Sequence, residues 1–243
     1  MRMGTAHVAA LALTLIIVAG QAGAAAAVPA KSEDGKPYLG GPWVVEKAQS
    51  EAKTVAGKVP PLKPEAAALY AKRKQSKTGG KIADDPVEQC LPHGVPRILS
   101  ANQPIMILQK PKQITVLYQA NHQSRQFYIG DAVPKAEEAP DITYNGTSYA
   151  RWSGNTLVVD TISLNDLTWL DDFGMPHSTA LRTVERYDLV DPTHLKVTVT
   201  ITDPDTFTAP WDMQVVFKRQ PGLRLQENAC AEKLWHPPPS GSG

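Results

Sequence analysis

His194–Thr202 reads HLKVTVTIT. Leu195, Val197, Val199 and Ile201 fall on one face of an extended chain, and Lys196, Thr198, Thr200 and Thr202 on the other. A two-residue period belongs to a strand, and β-branched side chains suit a pleated surface. One dry face and one wet face place such a strand in a wall that covers a core on one side only.

The pattern repeats in both directions. Asp191-Pro-Thr193 is a turn signal that joins this strand to Leu181–Leu189 (LRTVERYDL). Met213–Lys218 (MQVVFK) and Leu223–Glu227 (LRLQE) follow it. Upstream, Thr156–Ile162 and Ser148–Ser153 flank Gly154-Asn155, a two-residue hairpin turn. Arg125–Ile129 and Gln113–Gln119 come before these, and the β pattern begins near Ile105. Short loops between successive strands predict antiparallel pairing, with no room for crossover helices. The expected fold is all-β: an antiparallel up-and-down barrel, lipocalin-like, of a size that holds one small ligand. A β-sandwich is the alternative, because strand number and spacing fit both.

The ends of the chain differ from this middle. Residues 1–27 read as a signal peptide: Arg2, an apolar run from Val8 to Ala19, then small residues with Ala-x-Ala cleavage options. The run is shorter than the roughly 20 residues a spanning helix needs. A periplasmic or secreted protein is expected, with no stable membrane insertion after cleavage. Residues 28–85, rich in Ala, Lys, Pro and Gly, are expected to form a partly ordered N-terminal arm. Within it, Pro64–Lys74 has the Pro start and basic end of a short helix, and QSKTGGK (75–81) reads as a linker. The barrel domain is expected over 86–235, followed by a proline-rich tail, 236–243, with no packing signal.

Cys90 and Cys230 are the two cysteines. In an exported chain an even pair predicts a disulfide. The chain carries 25 basic and 24 acidic residues. Removing the signal with Arg2 leaves 24 of each, so no global field selects nucleic acid as a partner.

Six segments occur in order: CLPHGVPR (90–97), SRQFYIGD (124–131), RWSGNTLVVDT (151–161), TWLDDFGMPHS (168–178), VERYDL (184–189) and TDPDTFTAPW (202–211). This series resembles a large group of exported bacterial proteins of unassigned function. That group shares G-R-W-x-G-D-T-L-V-V-D-T, T-W-x-D-x-x-G-x-P-H-S, E-R-Y and D-P-x-x-Y/F-T-x-P-W. The resemblance covers about residues 80–235. It implies one shared fold with a cysteine near each end, and it implies no substrate. Ala150 and Asn155 depart from the group's usual Gly and Asp, both at the hairpin.

The TWLDDFGMPHS stretch lies in the longest connection of the β series, 163–180, and long connections are more often functional. His177 is its only imidazole, and Asp171 or Asp172 could orient the ring, the minimum for general acid–base work. The same residues also make a good turn. Glu185 shares a strand face with Leu181, Thr183 and Tyr187, so it is either a cavity acid or the partner of a buried cation such as Arg125 or Arg151. Asp160, between Val158 and Ile162, raises the same question. Asp160 and Glu185 are expected to face one interior. Arg125 and Tyr128 are expected to add cavity polarity. The aromatic set Tyr118, Tyr128, Tyr149, Trp152, Trp169 and Trp211 could line a pocket or simply pack. No cofactor motif is present. No metal is expected; a site of His122, His177 and a carboxylate is the weaker alternative. Asn145-Gly-Thr147 matches a glycosylation sequon and is read as a turn.

Three functions remain open at this point. One is an exported small-molecule-binding barrel doing cofactor-free acid–base chemistry (isomerisation, cyclisation or elimination) on a partly apolar ligand. The second is a binding or carrier protein without turnover. The third is a structural envelope protein whose polar motifs only hold the fold.

Overall fold

The computed structural model describes residues 30–79 and 84–230. The expected signal peptide and tail lie outside the described residues. The chain forms nine strands: β1 (Gly41–Val45), β2 (Ile105–Gln109), β3 (Gln113–Tyr118), β4 (Ser124–Ile129), β5 (Thr147–Ser153), β6 (Thr156–Ile162), β7 (Arg182–Asp191), β8 (His194–Thr202) and β9 (Trp211–Arg219). They close in sequence order, and β1 pairs antiparallel with β9. Closure excludes the sandwich.

The decisive stretch behaves as its period dictates. Leu195, Val197, Val199 and Ile201 are fully buried and pack with Met213, Val215 and Phe217 of the next strand. Inward side chains from all nine strands join one contiguous cluster, including Trp43, Ile107, Ile114, Phe127, Val159 and Tyr187. Side chains fill the barrel, as its strand number allows.

Three expectations are corrected. The barrel is not wholly antiparallel, because β4 and β5 run parallel. A parallel pair needs a crossover of a dozen residues or more, and residues 130–146 supply it. Next, the barrel is not confined to 86–235: the arm contributes β1, which carries Trp43 and Val45 into the core. Finally, Leu223–Glu227 forms no strand. The edge of β9 that it would need is already taken by β1.

A 15-residue helix, α1 (Pro64–Thr78), lies in the arm. Pro64 opens it and Lys77 stands in its last turn, complementing the helix dipole. It runs past Lys74 into the expected linker. Cys90 and Cys230 are disulfide-bonded across 140 residues of sequence, the bond of an oxidising compartment. No described helix is long and apolar enough to cross a membrane.

Candidate functional site

Inside the apolar barrel lies a polar centre. Arg125 on β4 meets Glu185 on β7 with both carboxylate oxygens, at 3.0 and 2.6 Å. Its NH2 group also donates to Ser148 Oγ of β5 at 3.1 Å and Thr161 Oγ1 of β6 at 3.0 Å. Tyr187 donates its phenol to Glu185 at 2.6 Å. Arg125 and Glu185 are 3% and 0% exposed, so this is the buried cation that an acid on an apolar face requires. Burial opposes the guanidinium's charge, but the adjacent Glu185 carboxylate outweighs it and holds the Arg125 pKa well above its ordinary value. Burial, and then Glu185, push the Tyr187 phenol well above its usual range. Tyr118 is raised to about 12, by burial first. At neutral pH the centre is therefore a guanidinium with neutral phenols around it.

The 168–178 loop is elsewhere and does something else. Asp171 Oδ1 accepts from the backbone of Phe173 and Met175, while Oδ2 accepts from Tyr70 of α1 at 2.7 Å and from Ala52 N at 3.0 Å. Asp172 accepts from Arg97, which also makes a bidentate pair with buried Asp85. Lys77 of α1 reaches Asp85 at 3.1 Å. Arg73 donates to Gly174 O and lies over Trp169, with Arg97 also close to that ring. The loop thus clasps the arm, the helix and the 85–97 segment. Gly94, at φ +71°, approaches so closely that an added Cβ would sit 2.4 Å from Thr168 Oγ1.

His177 is 8% exposed and belongs to this clasp. Its Nδ1 lies 3.3 Å from the Ser178 carbonyl, which can only accept, so Nδ1 carries the proton. Nε2 then accepts from Thr168 Oγ1 at 2.8 Å. Burial depresses its pKa, against the opposing effects of the Ser178 carbonyl and Asp203. Asp171 and Asp172 do not orient the ring, because their oxygens serve the contacts above. The expected acid–base dyad is not assembled.

The remaining expected residues scatter. Asp160 is not in the interior: it opposes Val184, not Glu185, and pairs on the outer wall with Arg182. Adjacent positions on one strand point to opposite faces, so Asp160 on β6 shares a face with Tyr149 and not with Val159. Tyr128 also faces outward, 37% exposed, and donates to Gln126. Trp169 is covered by arginines. Trp211 packs edge-on against Phe207, and Trp152 packs against the core. His122 Nε2 accepts from Asn228 N. Among the described residues, no group of three metal-ligating side chains comes together.

What the fold does offer is a cleft of about 210 Å³ in the wall, where β4 and β5 meet. The parallel register starts at Phe127 opposite Ser148, which leaves the start of β4 unpaired with β5. Arg125, Gln126, Tyr128, Asn145, Thr147 and Ser148 line the opening. Arg125 and Ser148, both members of the buried polar centre, are among the residues that border it. Arg125 Nε and Asn145 Oδ1 have no hydrogen-bond partner among the described residues. Asn145 Nδ2 donates to Gln123 Oε1, and this bond directs the amide oxygen away from Gln123.

Other hollows lack this link. Those of about 430 Å³ beside Tyr38 and about 510 Å³ beside Leu69 are not lined by a buried ionisable side chain. One of about 300 Å³ touches Asp203, whose oxygens are already held by Ser178, Asp205 and Thr206.

Gln126 and Ser148 were not singled out from the sequence, and Asn145 was read only as part of a turn. The available signal was the run of inward hydroxyls, Ser148, Thr161 and Thr183, on otherwise apolar strand faces. On the clasp side, Tyr70, Asp85 and Arg97 carried no local signal, since their partners lie far away in sequence.

No family model and no curated protein matches the chain. Among solved structures it is similar to a fatty acid transporter, REP1-NXSQ, at 13% identity over 76% of this chain and 98% of that one, with a TM-score of 0.37. It is also similar to a mutant of the fluorescent protein UnaG, at 14% identity over 75% of this chain and 96% of that one, with a TM-score of 0.32. The barrel assignment stands on the strand pairing itself.

Proposed function

We propose that this chain is an exported binding barrel that takes a small polar molecule at the β4/β5 seam, without acid–base turnover. One observation carries the reading: the wall opens where the parallel register begins, and the opening is lined by the interior cation Arg125. Ligand sites are concave, few in number and furnished with a few convergent polar groups. A barrel wall with no binding task has no need of a gap beside the ion pair buried in its interior. Export rests on the N-terminal sequence and is in keeping with the disulfide. Inward side chains of all nine strands pack in one apolar cluster, whereas the seam is polar.

Ser124 is exposed at the rim of the cleft. Ser124→Trp should plug it without disturbing the core. Native mass spectrometry of protein recovered from the exported fraction should show a bound small molecule on the wild type and none on the plugged variant at unchanged Tm. Retention of the same molecule by the plugged variant would sink the seam reading. The clasp around TWLDDFGMPHS favours a second reading, an envelope protein whose motifs only hold the fold. Under that reading neither protein carries a ligand.

A further inference from the structure

We propose that the ligand of the β4/β5 cleft is a neutral polyhydroxylated molecule of saccharide type; this rests on the seam being the binding site. The lining decides against other classes. Among the described residues no aliphatic side chain lines the cleft, which is walled by hydroxyls, two carboxamides, Arg125, a glycine and the ring of Tyr128. A fatty chain would gain little apolar contact there and would strip water from polar groups that it cannot pair with.

Charge decides against an anion. The Arg125 guanidinium is neutralised by bidentate contact with Glu185, and Ser148 and Thr161 share its NH2 group. A carboxylate or phosphate entering from the seam would find those donors occupied and Glu185 behind them. A cation would find no carboxylate in the lining. A neutral group meets neither objection.

Hydroxyl pairs suit what remains. Asn145 Oδ1 is an acceptor without a partner among the described residues, and the Ser124 and Thr147 hydroxyls and the Gln126 amide add donors. A sugar hydroxyl both donates and accepts, so vicinal hydroxyls can serve the two types together. Tyr128, 37% exposed at the rim and opposite Tyr149 on β5, offers an aromatic face to ring C–H groups. The volume, about 210 Å³, is below the roughly 300–1,000 Å³ of drug-sized sites and suits one ring.

The test is titration calorimetry of the full mature protein with glucose, galactose, N-acetylglucosamine, succinate and laurate as probes. It is run on the wild type, Asn145→Ala and Tyr128→Ala, with Tm recorded for each. The expected result is binding of at least one sugar, weakened about tenfold or more in each variant, as loss of one good hydrogen bond or stacking contact gives. Tyr128 is exposed, so its variant remains informative if Asn145→Ala fails to fold. Binding of succinate or laurate, weakened by the same variants, would overturn the ligand class while leaving the seam as the site. Binding of any probe that neither variant changes would overturn the class and the seam together. No binding by any of the three sugars would overturn the saccharide class as stated.

Discussion

Glu185 illustrates how one side chain couples the strands. It collects Arg125 and Tyr187, and Arg125 in turn collects Ser148 and Thr161, so β4, β5, β6 and β7 meet at one carboxylate. A buried ion pair is weak evidence for stability, since apolar replacement of both partners is often neutral or better. Losing one partner is different. Glu185→Ala should cost about 3–5 kcal/mol in urea denaturation, because the Arg125 charge stays buried and unpaired. Replacing both, Arg125→Met with Glu185→Leu, should cost clearly less than the single change; equal costs would show that the centre is not a coupled pair. His177 gives a pH prediction. Burial lowers its folded pKa below the unfolded value of about 6.5. The unfolded chain therefore binds more protons, and the contribution is full above about pH 6.5 and lost as pH falls below it. His177→Gln should flatten the stability curve as pH falls below about 6.5. Parallel curves for the two proteins would contradict the burial assignment. Asp85 and Asp203, also held below their ordinary values, act in the same direction but only below about pH 4.

At the scale of elements, the 168–178 loop acts as a clasp. Asp171 ties its own turn, residue 52 of the arm and α1 through one carboxylate. Asp171→Ala should cost on the order of 3 kcal/mol, since hydrogen bonds to charged groups contribute about 1.5–3 kcal/mol each and do not add fully. Hydrogen exchange should rise in residues 50–54 and in α1 while the barrel strands keep their protection. Uniform loss across the barrel would mean that the loop supports the whole fold and not the arm. The strands were legible because a two-residue period is a local property, as in β8, whose bounds the period gives to the residue. The parallel seam was not legible, since the direction of β5 depends on the path of residues 130–146. β1 was not legible either: PYLGGPW (37–43) reads equally as extended or turned, and only the free edges of β2 and β9 make Gly41–Val45 a strand. His177 with two nearby aspartates was legible as a cluster but not as a clasp, because Tyr70, Arg97 and Ala52 are brought there by tertiary structure alone.

For the whole molecule, two long-range closures act together: β1 against β9, and Cys90 to Cys230. In the chain-entropy model a loop of this length stabilises by at most about 5 kcal/mol. Cys90→Ser with Cys230→Ser should therefore lower Tm without changing the barrel's near-ultraviolet spectrum; loss of that spectrum would mean that strand closure depends on the bridge. That Glu185 could need a buried cation was legible, with Arg125 and Arg151 both open; the fold selects Arg125. The cleft beside it was not, because it exists where two strands fail to pair, and no residue pattern marks a missing pairing. The central claim is that function sits at this seam and not at the conspicuous polar loop. Hydrogen exchange of the protein, with and without the small molecule that the proposal expects to co-purify with it, tests this most directly. Protection should appear in residues 124–128 and 145–148 and leave 168–178 unchanged, whereas protection confined to 168–178 would contradict the account.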